Sequence, residues 1–178
     1  MGKVVEAIDE RLAEWISAQK LFFVATAPQA GEHVNVSPKG GDCFRLLSPT
    51  EVAYLDVTGS GIETIAHVRE NGRITFMFCA FEGPPDIVRL YGQGEVHPVD
   101  SAGYRELAHL FDDKIGARSI IRARLHRVQT SCGFQVPFYD YVGERDQLER
   151  WADSKGREGI VNYQAERNAV SIDGLPGL

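Results

Sequence analysis

Three cysteines, Cys43, Cys79 and Cys132, are odd in number and far apart, and no Cys-x-x-Cys pair exists. That excludes a disulfide framework and a thiolate zinc site. The five histidines form neither His-x-x-x-His nor His-Glu-x-x-His, so no metal is expected. Gly-x-Ser-x-Gly is missing too, which argues against an α/β-hydrolase. No apolar run approaches the ~20 residues that cross a bilayer, so no membrane partner is expected. The first twenty residues carry Glu6, Asp9, Glu10 and Glu14, unlike a signal peptide, and a cytoplasmic chain is expected. Positive charge is in deficit: 19 basic against 25 acidic side chains leave −6, and no four basic residues run together. A surface of that sign repels phosphodiester backbones, so nucleic acid is not an expected partner. Any anionic ligand must be gripped by a few placed groups.

What is there reads as one domain over residues 1–178, with a core at about 10–130 and a helical C-terminal extension over 144–178. The composition, 43% hydrophobic and 25% charged, suits a globular chain with its own core. Val5, Ile8, Leu12, Trp15 and Ile16 have helical spacing. Leu21 to Thr26 then changes the period to a β-rich run, and His33 to Ser37 reads as its hairpin partner. Further strands are expected over 43–47, 51–56, 73–80, 87–97 and 118–128. Strands at short intervals with few helices between them point to a mainly β (α+β) antiparallel barrel or sandwich. Helices are expected over 62–70, 101–111 and 144–165, the last broken at Gly156 and Gly159 into two. The tail from Ser171 reads as an ordered turn or an extended arm.

Two stretches carry chemistry. Asp56-Val57-Thr58-Gly59-Ser60-Gly61-Ile62-Glu63-Thr64 joins a strand to a helix through small residues. Free N–H groups of a first helical turn attract anions, and Thr58, Ser60 and Thr64 add hydroxyls. The glycine spacing is neither a Rossmann fingerprint nor a P-loop. The same residues also fit a capping box, Ser60-x-x-Glu63, which would satisfy those donors internally. Asn35-Val36-Ser37-Pro38-Lys39-Gly40 ends the second strand with a hydroxyl and an ammonium, and Lys39 is one of three lysines before position 114. Were the two stretches neighbours, Ser37, Lys39 and the helix start could converge on one phosphate; alternatively Lys39 is a solvated turn residue. Arg89 sits in an apolar strand, facing either an anionic partner or solvent. Cys132 lacks a basic neighbour and reads as a buried structural thiol. His67 reads as a packed core histidine or, less simply, as a general acid.

The order of these motifs resembles the pyridoxamine 5′-phosphate oxidase-related, FMN-binding split-barrel family over about residues 10–130. The motifs are Val36-Ser37-Pro38-Lys39-Gly40, Tyr54-Leu55-Asp56, Gly59-Ser60-Gly61, Glu70-Asn71-Gly72-Arg73 and Arg89-Leu90-Tyr91-Gly92. The resemblance implies a six-stranded antiparallel split β-barrel with flanking helices, forming a homodimer with FMN between the subunits. It implies phosphate contacts from Ser37, Pro38, Lys39, Ser60, Gly61, Glu63 and Thr64, with Tyr54 and Leu55 along the flavin ring. Arg89 would supply a positive group near the ring, while Ile87 stands where the family has a glutamine. Glu63-Thr64 replaces the family's Arg-Lys pair, and the C-terminal Arg-x-His and Arg-Leu-x-Pro are absent. The resemblance therefore implies an FMN-dependent oxidoreductase acting on an unidentified small molecule, rather than a pyridoxamine phosphate oxidase proper. A deazaflavin-dependent reductase, or a non-catalytic protein binding flavin, haem or pyridoxal phosphate, stays open as an alternative.

Overall fold

A computed structural model describes residues 2–178. Eight strands are β1 (Lys3–Val5), β2 (Leu21–Thr26), β3 (Asn35–Gly40), β4 (Phe44–Ser48), β5 (Glu51–Val57), β6 (Arg73–Cys79), β7 (Asp86–Pro98) and β8 (Ala117–Cys132). Four helices are α1 (Glu10–Ala18), α2 (Glu63–Asn71), α3 (Ala102–Leu107) and α4 (Gln147–Arg167). The strands make one antiparallel sheet in the order β3-β2-β6-β7-β8-β5-β4, with β1 on β8. The sheet curls into a split barrel.

The described residues form eight strands, two more than the six the family resemblance implies, within the same antiparallel split barrel. Seven of the eight match the runs read from the sequence, β4 and β5 among them as separate strands, and the eighth, Lys3–Val5, is a strand rather than the start of α1. Val5 pairs with Val128, and Asp9 then caps α1 by accepting from the Leu12 N–H at 2.8 Å. An N-cap fixes where a helix can begin more firmly than apolar spacing does.

The core is set by two-residue alternation. In β2 the side chains of Phe22, Val24 and Thr26 are buried and those between are half-buried. Phe22 stacks on Phe78 at 5.4 Å between centroids, and Phe44, Tyr54 and Phe76 close an aromatic cluster around them. Edge-to-face pairs of this kind add to the ~25 cal/mol per Å² of apolar burial. Helix α2 packs on β2, β6 and β7 and ends at Gly72, whose φ of 72° is the left-handed conformation that a helix stop favours. In α4, Gly156 has a φ of 66° and separates two helical pieces as expected, whereas Gly159 is helical. Cys132 is exposed, contrary to the reading of a buried thiol, because it lies at the very end of β8 beyond the core rows.

Candidate functional site

Strand β3 lies at the sheet edge, and alternate residues Asn35, Ser37 and Lys39 are the half-buried ones. Asn35 sits at the centre of a small polar network. It donates to Thr64 Oγ1 at 3.0 Å and to Thr26 Oγ1 at 3.3 Å, and it accepts from Ser37 Oγ at 3.2 Å. Thr26 in turn meets the buried His67 Nδ1 at 3.0 Å. The start of β3 and the first turn of α2 are thereby tied together.

A second tie runs through Asp56, whose side chain is fully buried. Lys39 Nζ reaches Asp56 Oδ1 at 3.2 Å, and Arg118 Nε reaches Asp56 Oδ2 at 2.5 Å. Burial pushes the Asp56 carboxyl upward, but the Lys39 and Arg118 charges and hydrogen bonds outweigh it and hold the carboxyl below its usual range. Arg118 also donates to Gly61 O and to Asn168 Oδ1, each at 2.9 Å. One carboxylate thus serves two cations, leaving one positive charge uncompensated within the triad.

The α2 start is not closed by a capping box. Ile62 occupies the N-cap position without a side-chain hydrogen bond, and Ser60 and Gly61 are exposed. Glu63 does not fold onto Ser60; its carboxylate lies against Gly61 and accepts from Ile172 N at 3.2 Å. The partner comes from the C-terminal arm after α4. Asn168 donates to Gly59 O at 3.1 Å, Gln164 donates to Thr58 Oγ1 at 2.8 Å, and Arg69 donates to Gly177 O. His33 and Asp173 meet at 2.7 Å on the flank of that arm.

Of the residues singled out in the sequence, Ser37, Lys39, Ser60, Gly61, Glu63 and Thr64 fall around this corner. Tyr54 lies beneath it. Its ring is fully buried, 5.5 Å from Lys39 Nζ, and its hydroxyl has no hydrogen-bond partner among the described residues. Burial, with the Asp56 charge next, pushes that phenol well above its ordinary range. Leu55 points to the other face of β5 and is buried, so its side chain does not line the corner. Pro38 and Arg89 stand elsewhere. They share one register row, Pro38–Phe23–Met77–Arg89–Gln129, on the outer face of the sheet. Lys39 belongs to the adjacent row with the buried Phe22 and Phe78, on the inner face. Arg89 is also three strands away, roughly 14 Å at ordinary strand spacing. Arg89 Nη1 donates to Ser131 Oγ at 3.0 Å and makes no ion pair among the described residues.

A family model described as pyridoxamine 5′-phosphate oxidase matches residues 8–132. The chain belongs to the pyridoxamine 5′-phosphate oxidase family. It is 42% identical over 190 residues to the pyridoxamine 5′-phosphate oxidase family protein ustO of Aspergillus flavus, covering 97% of this chain and 76% of that one. Among solved structures it is similar to a single-substitution form of HupZ of Group A Streptococcus, at 23% identity and a TM-score of 0.56. That match covers 70% of this chain and 99% of the other. A Lactobacillus delbrueckii protein, described as a candidate pyridoxamine 5′-phosphate oxidase, aligns at 19% identity and a TM-score of 0.54, over 70% and 94% of the two chains. These structural likenesses establish the split-barrel fold.

The family match ends at residue 132, so the arm that braces Gly59 and Glu63 lies outside it. Asn35, Asp56, Arg118 and Asn168 are the corner residues that reading the sequence missed. Asp56 and Arg118 carried a signal, since each is a charge inside a β-rich run. Asn168, 50 residues beyond Arg118, carried none. Among the described residues no cluster of metal-ligating side chains occurs, and no helix is long and apolar enough to cross a membrane.

Proposed function

We propose that the chain is an FMN-binding oxidoreductase acting on a small molecule, with the FMN phosphate in the β3–α2 corner. The observation that carries this reading is the convergence of Ser37 and Lys39 with the open first turn of α2. Lys39 uses one hydrogen bond on Asp56 and retains two N–H donors. The exposed Ser60 hydroxyl and the uncapped α2 amides supply neutral donors of the kind that hold phosphate. The surplus positive charge of the Lys39–Asp56–Arg118 triad favours a dianion, and Glu63 opposes it. The buried Tyr54 supports Lys39 from below.

Bound flavin would supply hydride and electron transfer, and the chain's part is to bind, orient and exclude water. Arg89 is positioned to face an electron-rich group, since its only side-chain partner among the described residues is a neutral hydroxyl. A ligand at the Lys39 corner reaches an Arg89 only where a second chain brings its outer sheet face to that corner. A homodimer with the cofactor between subunits is the arrangement that would let Arg89 take part, and it belongs to this proposal.

The test is a fluorescence-quenching titration of FMN into the wild-type chain and Lys39→Gln. Loss of a charge-assisted hydrogen bond, ~1.5–3 kcal/mol, weakens binding about tenfold to a hundredfold. Equal affinities for the two proteins would contradict the phosphate assignment.

A further inference from the structure

The outer face of the sheet carries a second concavity, away from the Lys39 corner. It has a volume of about 320 Å³, and its floor is made of small residues, Ala25, Thr75 and Gly92. Val34, 72% exposed, and Tyr91 stand beside it, and Arg73 and His126 also line it. Small ligand pockets begin near this size.

Two features show that the pocket is built. The first is a bulge in β8. Tyr91 pairs with Arg127 and the next residue, Gly92, pairs with Leu125, so His126 is left over and turned to the pocket. Gly92 makes this possible, because a Cβ there would lie 2.7 Å from the Arg124 carbonyl oxygen. The second is the anchoring of Arg73. Its Nε donates to Asn71 Oδ1 at 3.2 Å, and its Nη2 donates to Pro28 O at 3.0 Å and Ala27 O at 3.5 Å. All three acceptors are neutral, and Nη1 has no acceptor among the described residues. The guanidinium is fixed in place with no carboxylate at ion-pair distance among the described residues, Glu70 being taken up by Gln29 N and Asn71 Nδ2, and with two N–H groups to spare.

The surroundings reinforce that charge. Arg89 and Arg127, on the same face, are held by Ser131 Oγ and Gln129 Oε1, again neutral. By contrast Arg45, Arg118, Arg122, Arg150 and Arg157 all pair with carboxylates. Further along the same face Arg122 is neutralised by Glu51 and Glu106, so the patch of arginines held by neutral acceptors alone is the one around the pocket, Arg73, Arg89 and Arg127, and that patch favours an anion.

The geometry points to this pocket as the binding site for a small planar carboxylate. Its ring would lie on the Ala25–Thr75–Gly92 floor beside Tyr91, and its carboxylate would meet Arg73 Nη1, with His126 as a second donor. The site lies two residues along β7 from Arg89, about 7 Å at strand rise. Its role as the substrate site rests on the flavin reading, whereas the binding itself does not.

The probes are benzoate and its neutral counterpart benzamide, titrated without flavin into the ¹⁵N-labelled full chain and followed by amide shifts. Benzoate is expected to shift Thr75, Tyr91 and His126 amides saturably, and benzamide to bind at least about tenfold more weakly. Arg73→Gln removes the preference for benzoate. Val34→Asp sets a carboxylate at the exposed wall and abolishes benzoate binding with the dispersed spectrum unchanged, which covers the case of a misfolded Arg73→Gln. No saturable shift, equal shifts by both probes, or undiminished benzoate binding by Val34→Asp each overturns the site. Because flavin is absent, failure here leaves FMN binding to be decided by its own titration.

Discussion

Asp56 and Arg118, from paired strands β5 and β8, form a buried ion pair at 2.5 Å that also fixes the loop ahead of α2. Arg118 reaches Gly61 O with another of its donors, so the carboxylate, the loop and the C-terminal arm share one guanidinium. Breaking a buried pair leaves an uncompensated charge, which costs more than the pair contributes. Asp56→Asn strands both Lys39 and Arg118. The expected loss is ~3–5 kcal/mol in a urea unfolding titration; a loss below ~1 kcal/mol would mean the triad is solvated.

Acid sensitivity is expected in two stages. Burial disfavours the His67 imidazolium and lowers its pKa, although Glu63, Asp173 and Glu70 act in the opposite direction. A group with a lowered folded pKa contributes stability that is full above its unfolded value, ~6.5 for histidine. That contribution is lost as pH falls through the folded value. Asp56 follows the same sign from an unfolded value of ~3.9, so its contribution disappears only below pH ~4. Urea midpoints measured from about pH 7.5 to about pH 5 should fall in the wild type, and less steeply in His67→Gln. Parallel curves would rule out His67 as the source.

Much of this was legible in the sequence because it rests on local rules. The β2–β3 hairpin, α2 with its Gly72 stop, and the break at Gly156 follow from alternation and glycine conformation. The nearness of Ser37 and Lys39 to the α2 start followed from motif order. The triad was not legible, since pairing Asp56 with Arg118 needs the β5–β8 register across a sequence separation of 62 residues. The same holds for the opposite faces of Lys39 and Arg89. Sequence alternation gives each its parity, and the strand order then decides that they diverge. The arm's grip on Gly59 and Glu63 is a tertiary contact with no motif.

Glu63 tests the charge balance of the corner. Its carboxylate lies against Gly61, where it opposes an incoming phosphate. Glu63→Gln keeps an acceptor for Ile172 N and removes the charge. FMN affinity should rise about two- to fivefold, the scale of one half-exposed charge interaction, and the rise should shrink at high salt. An unchanged affinity would place the phosphate away from Glu63.

Thiol labelling separates the cysteines. Cys132 is exposed, while Cys43 and Cys79 are buried, and burial pushes the Cys43 thiol up to about 11. A chromogenic disulfide reagent at about pH 8 should modify one thiol per folded chain and three after denaturation. Fast reaction of a second thiol would show that the sheet opens at Cys43 or Cys79.

The most direct test of the phosphate corner compares FMN with riboflavin, which differ in the phosphate alone, in equilibrium titrations of the wild-type chain. The corner predicts that FMN binds at least about tenfold more tightly, the worth of one charge-assisted contact. Equal affinities for the two, or no binding of either, would contradict it.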